Sequence, residues 1–97
     1  ACLGLAFKPD IDDLRESPAL AITRRVTQLG CKVLAVEPNI EALAGKLAAD
    51  NLELSGLHQA LDCADVICVL VKHREFFEAV GDICKHAQII DAVGLLI

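Results

Sequence analysis

The apolar positions of this chain change period several times, and each change marks an element. The opening run ACLGLAF (1–7) is apolar at both odd and even positions, as expected of a strand buried on both faces. Residues 18–29 turn to a helical period, with Leu20, Ile22, Val26 and Leu29 near one stripe and Arg24, Arg25, Thr27 and Gln28 mostly opposite. Ser17 suits the N-cap of that helix, Pro18 its first position and Gly30 its C-terminal stop. CKVLAVE (31–37) predicts a second strand, closed by Pro38. Asn39 then caps a helix over 40–49, weakened by Gly45. LEL (52–54) is a short third strand, and Ser55 or Gly56 opens a helix running to Cys63. VICVLV (66–71) is an uninterrupted buried strand. Residues 73–80 are expected to be helical with Phe76, Phe77 and Val80 inward, and QIIDAV (88–93) is the last strand.

Strands and helices thus alternate, and the strands are apolar on both faces. That order predicts an α/β fold: a three-layer, Rossmann-like parallel five-stranded sheet with helices on both faces. Right-handed crossovers give the strand order 3-2-1-4-5. Sheets of this kind meet their ligands at the carboxyl ends of the strands, beside the first strand. The most charged stretch of the chain, KPDIDDLRES (8–17), follows the first strand at that edge.

Composition narrows the function. Ninety-seven residues make a single domain, 1–97, and with three aromatics and no Met, Trp or Tyr its core must be aliphatic. The net charge is −5, and of the nine basic residues only Arg24 and Arg25 are adjacent, which excludes a basic stripe for nucleic acid. A phosphate needs only one well-placed Lys or Arg, so anionic ligands stay open. The five cysteines (Cys2, Cys31, Cys63, Cys68, Cys84) form no CxxC pair and are odd in number. Cys2, Cys31 and Cys68 lie in strand-like runs and are expected to be small core residues of a reduced, cytoplasmic protein. No signal-peptide pattern occurs, and no apolar run approaches the roughly 18 residues of a membrane span. The chain opens at Ala1 inside an apolar run and without Met, so it is expected to be a piece of a longer protein.

The charged stretch admits three chemistries. A dinucleotide fingerprint would place glycines in the turn, but Gly4 lies within the strand and Phe7, Lys8 and Pro9 occupy the turn, although Glu37 ends strand 2 where a ribose acid would stand. A Mg²⁺ phosphotransferase would need an aspartate directly at the strand end and further acids later. Lys8-Pro9 intervenes before Asp10, Asp12 and Asp13, and Asp82 and Asp91 come without a motif, so no metal site is assigned and these acids read as a solvated loop near a helix N-terminus. The third chemistry is an anion-binding loop, with Lys8 extended by Pro9 and Arg15 just before the helix. From spacing alone these two cations either meet a phosphate-type ligand or neutralise the neighbouring acids. His58, His73 and His86 read as exposed histidines at helix ends, and Glu37 as a strand-end acid before Pro38.

GLAFKPDIDDLRESPA (4–19) resembles the signature that opens the C-terminal, UDP-binding domain of the nucleotide-sugar dehydrogenases, the UDP-glucose/GDP-mannose dehydrogenase family. Pro9 and Ile11 are most like the UDP-N-acetylmannosamine branch. The likeness continues through VLAVEP (33–38), ALDCADVICVLVKHREF (60–76) and IIDAVG (89–94), so it covers nearly the whole chain. It implies part of an enzyme of polysaccharide biosynthesis that oxidises the C6 hydroxyl of a UDP-sugar to a carboxylate with two NAD⁺, by way of a cysteine thiohemiacetal and thioester. By position in the motif, Phe7 and Lys8 correspond to residues that contact the UDP-sugar, and Arg15 to one that reaches NAD bound by another domain. No cysteine here corresponds to the family nucleophile, so the resemblance implies no catalytic residue in this chain and an inactive isolated domain. It also implies NAD-binding and central helical domains in a parent chain, a homodimeric parent, and no nucleic-acid or membrane partner. The family usually has a basic residue two positions after the last-strand Asp, and this chain has Val93 there. The alternative from a different class is a non-catalytic Rossmann-like interaction module that uses the charged loop for a protein partner.

Overall fold

The computed structural model describes residues 1–6, 17–38, 51–85 and 88–96. The helix expected over 40–49, together with Phe7, Lys8, Asp10, Asp12, Asp13, Arg15 and His86, lies outside the described residues. In chain order the elements are β1 (Cys2–Leu3), α1 (Pro18–Gln28), β2 (Val33–Val36), β3 (Leu52–Leu54), α2 (Leu57–Cys63), β4 (Ile67–Val69), α3 (Arg74–Glu78), α4 (Val80–Ile83) and β5 (Ile89–Asp91). The described strands form one parallel five-stranded sheet in the order β3-β2-β1-β4-β5, as the alternation of apolar runs predicts. Cys2 pairs with Ala35 on one side and Cys68 on the other, which places β1 at the centre.

Successive strand residues serve opposite layers, because side chains alternate across a sheet. Cys2, Val33, Ala35 and Leu52 pack on one face with Ala19 and Leu20 of α1. Leu3, Val36, Ile67 and Val69 pack on the other with Ala60 and Leu61 of α2, Phe76 of α3 and Ile83 of α4. Helices therefore cover both faces.

The caps of α1 match expectation. Ser17 adopts an extended conformation and its hydroxyl accepts from Leu20 N at 3.2 Å, while Pro18 opens the helix. The inward face differs from the predicted stripe. Ile22 and Leu29 are 44% and 65% exposed, whereas Thr23 and Thr27 are buried beside Ala19 and Leu20. The threonine hydroxyls donate to the carbonyls of Ala19 and Thr23, four residues back, at 2.9 and 2.8 Å. Satisfied within the helix, they enter the interface as small side chains rather than unpaired polar ones.

Two further expectations are corrected. Residues 73–80 are not one helix: Ala79, at φ −105° and ψ 11°, separates α3 from α4. The inward positions are Phe76, Ala79 and Ile83, with Val80 half-buried against the same core as expected, while Phe77 is 51% exposed. Of the three cysteines expected in the core, Cys2 is buried and Cys68 half-buried. Cys31 is exposed, because it lies in the turn before β2.

Of the three described glycines with positive φ, Gly4, Gly30 and Gly94, the first two take it for different reasons. Gly30, at +94°, follows the last turn of α1 and donates to Thr27 O, and a Cβ there would meet open space. Gly4, at +102°, leaves a gap that Val71 fills: a Cβ on it would stand 2.5 Å from Val71 Cβ and 3.0 Å from Val71 N. Gly30→Ala is therefore expected to cost about 1 kcal/mol of backbone strain. Gly4→Ala adds overpacking to the same strain, about 2–5 kcal/mol in all. Urea unfolding of both variants measures the difference, and equal losses would show that the Val71 contact carries no weight.

Candidate functional site

The carboxyl edge of the sheet is where β1 hands the chain to the charged stretch, and it is tied from both sides. Glu37, directly after β2, is 2% exposed and points inward. Among the described residues its Oε1 accepts from Leu5 N and Ala6 N, both at 2.9 Å, and lies 2.8 Å from His73 Nε2. With Glu37 as a carboxylate, Oε1 has no hydrogen to give, and in that state His73 Nε2–H is the donor of the contact. Ser17 holds the opposite polar groups: its Oγ donates to Leu5 O at 2.6 Å, with Ala6 O at 3.2 Å, while capping α1. The N–H groups of Leu5 and Ala6 are bound from β2, and their carbonyls from α1.

His73 is fully buried, contrary to the expectation of an exposed histidine at a helix end. It does precede α3 as its N-cap, but its side chain turns under the edge and meets Phe76 edge-on, with ring centroids 5.5 Å apart. His58 is exposed, as expected. Glu37 is the strand-end acid that was expected, though turned into the protein. The sequence held a signal for this pair. The order 2-1-4 puts the carboxyl ends of β2 and β4 on either side of β1, with Glu37 directly beyond the first and His73 four residues beyond the second.

Beside the pair runs a cleft of about 450 Å³, lined by Glu37, Pro38, Leu54, Ser55, Gly56 and Glu75 among others. Among the described residues Glu75 Oε2 has no hydrogen-bond partner there, although it is buried. At the end of β5, Asp91 accepts from Leu95 N and Leu96 N, each at 2.9 Å. These bonds, that of Leu96 foremost, hold its carboxyl below the usual range. Val93, at the position where the family usually has a basic residue, is half-buried and packs on the second core. It serves the fold there.

Elsewhere on the sheet, Cys2 and Cys68 stand in register on β1 and β4. The hydrogen bond between the thiols, followed by burial, pushes Cys2 up. The same bond pulls Cys68, the more exposed thiol, below its ordinary value. Among the described residues no three His, Cys, Asp or Glu side chains group as a metal site. Among the described residues this edge offers no dinucleotide cradle. The strand-2 acid that would take a ribose is buried on Leu5, Ala6 and His73, and Gly4 is closed by Val71.

The family model for the UDP-glucose/GDP-mannose dehydrogenase family, UDP binding domain, matches residues 1–96. The chain belongs to this family. The UDP-N-acetyl-D-mannosamine dehydrogenase of Campylobacter jejuni is 57% identical over 84 residues, 84% of this chain and 21% of the relative. That of Escherichia coli K12 is 46% identical over 96 residues, 98% of this chain and 23% of the relative. The NDP-N-acetyl-D-galactosaminuronic acid dehydrogenase of Ralstonia solanacearum is 43% identical over 97 residues, covering 98% and 22%. This UDP binding domain thus spans about a fifth of the length of its curated relatives. No solved structure matches it. Among the described residues no helix is long and apolar enough to cross a membrane.

Two outcomes follow for the UDP binding domain. Ser17→Ala removes a cap and a buried bond together and is expected to cost about 1–3 kcal/mol in urea unfolding. A loss under a few tenths would mean that the strand end needs no anchor on α1. The depressed Asp91 carboxyl contributes stability that is complete above the unfolded value of about 3.9 and is lost as pH falls through the lower folded value. Asp91→Asn is expected to lose less stability than the unaltered chain between pH 4 and pH 2, and parallel acid curves would remove Asp91 from the account.

Proposed function

We propose that this chain is the C-terminal UDP-sugar-binding domain of an NAD-dependent nucleotide-sugar 6-dehydrogenase of the UDP-N-acetylmannosamine type. The observation that carries the reading is the family match across residues 1–96, together with relatives 46–57% identical that are named as UDP-N-acetyl-D-mannosamine dehydrogenases. Phe7 and Lys8 contact the UDP-sugar, and Arg15 reaches toward NAD held by another domain of a cytoplasmic, homodimeric parent enzyme. NAD supplies the hydride acceptor in that enzyme. The poor fit of the described edge to a dinucleotide supports assigning the cofactor to the other domain.

The work of this domain is then binding and orientation. Phe7 and Lys8 follow Ala6 directly in the chain, and Ala6 is bonded through N–H to Glu37 and through its carbonyl to Ser17. A cationic Lys8 beside that anchored strand end matches the charge of a diphosphate. Oxidation itself requires a cysteine nucleophile and NAD contributed from outside these residues, so the domain alone turns over no substrate.

Calorimetric titration with UDP tests the reading. Saturable binding is expected, weakened about tenfold or more by Lys8→Ala, the scale of one charge-assisted contact. No heat at millimolar UDP would favour the non-catalytic interaction module. Turnover of UDP-N-acetylmannosamine with NAD⁺ by the 97-residue chain would overturn the division of labour between domains.

A further inference from the structure

We propose that Glu37 and His73 are a positioning pair for nucleotide binding, holding the exit of β1 in the one place from which the following residues meet the ligand. The proposal rests on the functional reading above for the identity of the ligand, and on geometry for the pair itself. The carboxyl ends of three neighbouring strands, β2, β1 and β4, meet at one oxygen: Glu37 comes from the first, Leu5 and Ala6 continue the second, and His73 follows the third. Both side chains of the pair are fully buried, and the separation is 2.8 Å.

Stability alone is a poor reason for such an arrangement. Desolvating a carboxylate and an imidazole is costly, and apolar residues of similar volume commonly stabilise a core as well or better. What an apolar pair cannot do is bind two successive backbone N–H groups and so fix the direction of the strand end. Leu5 N and Ala6 N have turned away from the β ladder at this point, and without Glu37 they would be buried donors with no acceptor on the β2 side. His73 contributes by holding the acceptor: its Nε2–H keeps Oε1 aimed at the two amides, and its ring is itself seated on Phe76. Glu37 also shows why the position usually associated with a ribose acid is closed here. The carboxylate acts on the protein's own backbone instead, and through it on the residues next along the chain.

The test separates hydrogen bonding from packing by two substitutions at the same site. His73→Gln retains an N–H donor close to the place of Nε2, whereas His73→Leu fills the space without one. His73→Leu is expected to weaken UDP binding about tenfold and His73→Gln less than threefold, with Glu37→Gln at least as damaging as the leucine variant. In the same samples the amide protons of Leu5 and Ala6 are expected to move upfield in Glu37→Gln and His73→Leu, as their bonds to a charged acceptor weaken, and to stay near their original positions in His73→Gln. Equal effects of Gln and Leu at position 73 on both readouts would reduce His73 to packing and overturn the proposal. So would UDP affinity and amide shifts untouched in Glu37→Gln. If Glu37→Gln fails to fold, the two His73 variants decide. If the unaltered chain binds no UDP, the functional reading fails, while the Leu5 and Ala6 shifts still report whether the pair holds the strand exit.

Discussion

One carboxylate oxygen, buried where three parallel strands end, organises the carboxyl edge of this sheet. Parallel strands leave their last backbone groups without ladder partners, and at a ligand-facing edge water is the usual substitute. Here Glu37 and Ser17 take that place, the first for the N–H groups of Leu5 and Ala6 and the second for their carbonyls. The result is a strand end whose course is determined before the charged stretch begins. That order of construction suits a domain whose relatives are dehydrogenases about five times its length, since an edge that must meet something outside itself gains from being rigid beforehand.

The sheet order was legible because it depends on patterns that are local and cumulative. Doubly apolar strands, helical segments between them and the handedness of crossovers leave few topologies. The ends of α1 were legible for the same reason, since Ser17, Pro18 and Gly30 act within one turn of where they stand. Orientation was harder to read. Hydropathy ranks threonine below isoleucine and leucine, yet Thr23 and Thr27 face the sheet because their hydroxyls close on their own helix, and Ile22 and Leu29 are left outside. Phe77 is exposed because it stands one position, about 100° of helical rotation, from Phe76, which takes the inward place on α3.

The candidate site divides in the same way. Its location follows from topology, and the residues expected to touch ligand, Phe7, Lys8 and Arg15, belong to the middle of their motif, which lies outside the described part of the chain. The Glu37–His73 pair is legible only through the strand order, because its partners are 36 residues apart and no local spacing links them. Charged side chains near strand ends are ordinarily solvated, so burial of both had no local sign. Asp91 and Val93 show a related effect at the other end of the sheet: the acid shapes a turn with its own backbone partners, and the residue after next joins the core.

Gly4 has a meaning for how sequences of this kind can drift. Its missing side chain is replaced in space by Val71, so the sizes at positions 4 and 71 are complementary. Reducing Val71 would relieve the contact but leave the backbone at a φ of +102°, which a side chain at position 4 would still oppose. A change at position 71 alone therefore does not free position 4 from glycine; the backbone between β1 and the segment after β4 would have to shift as well.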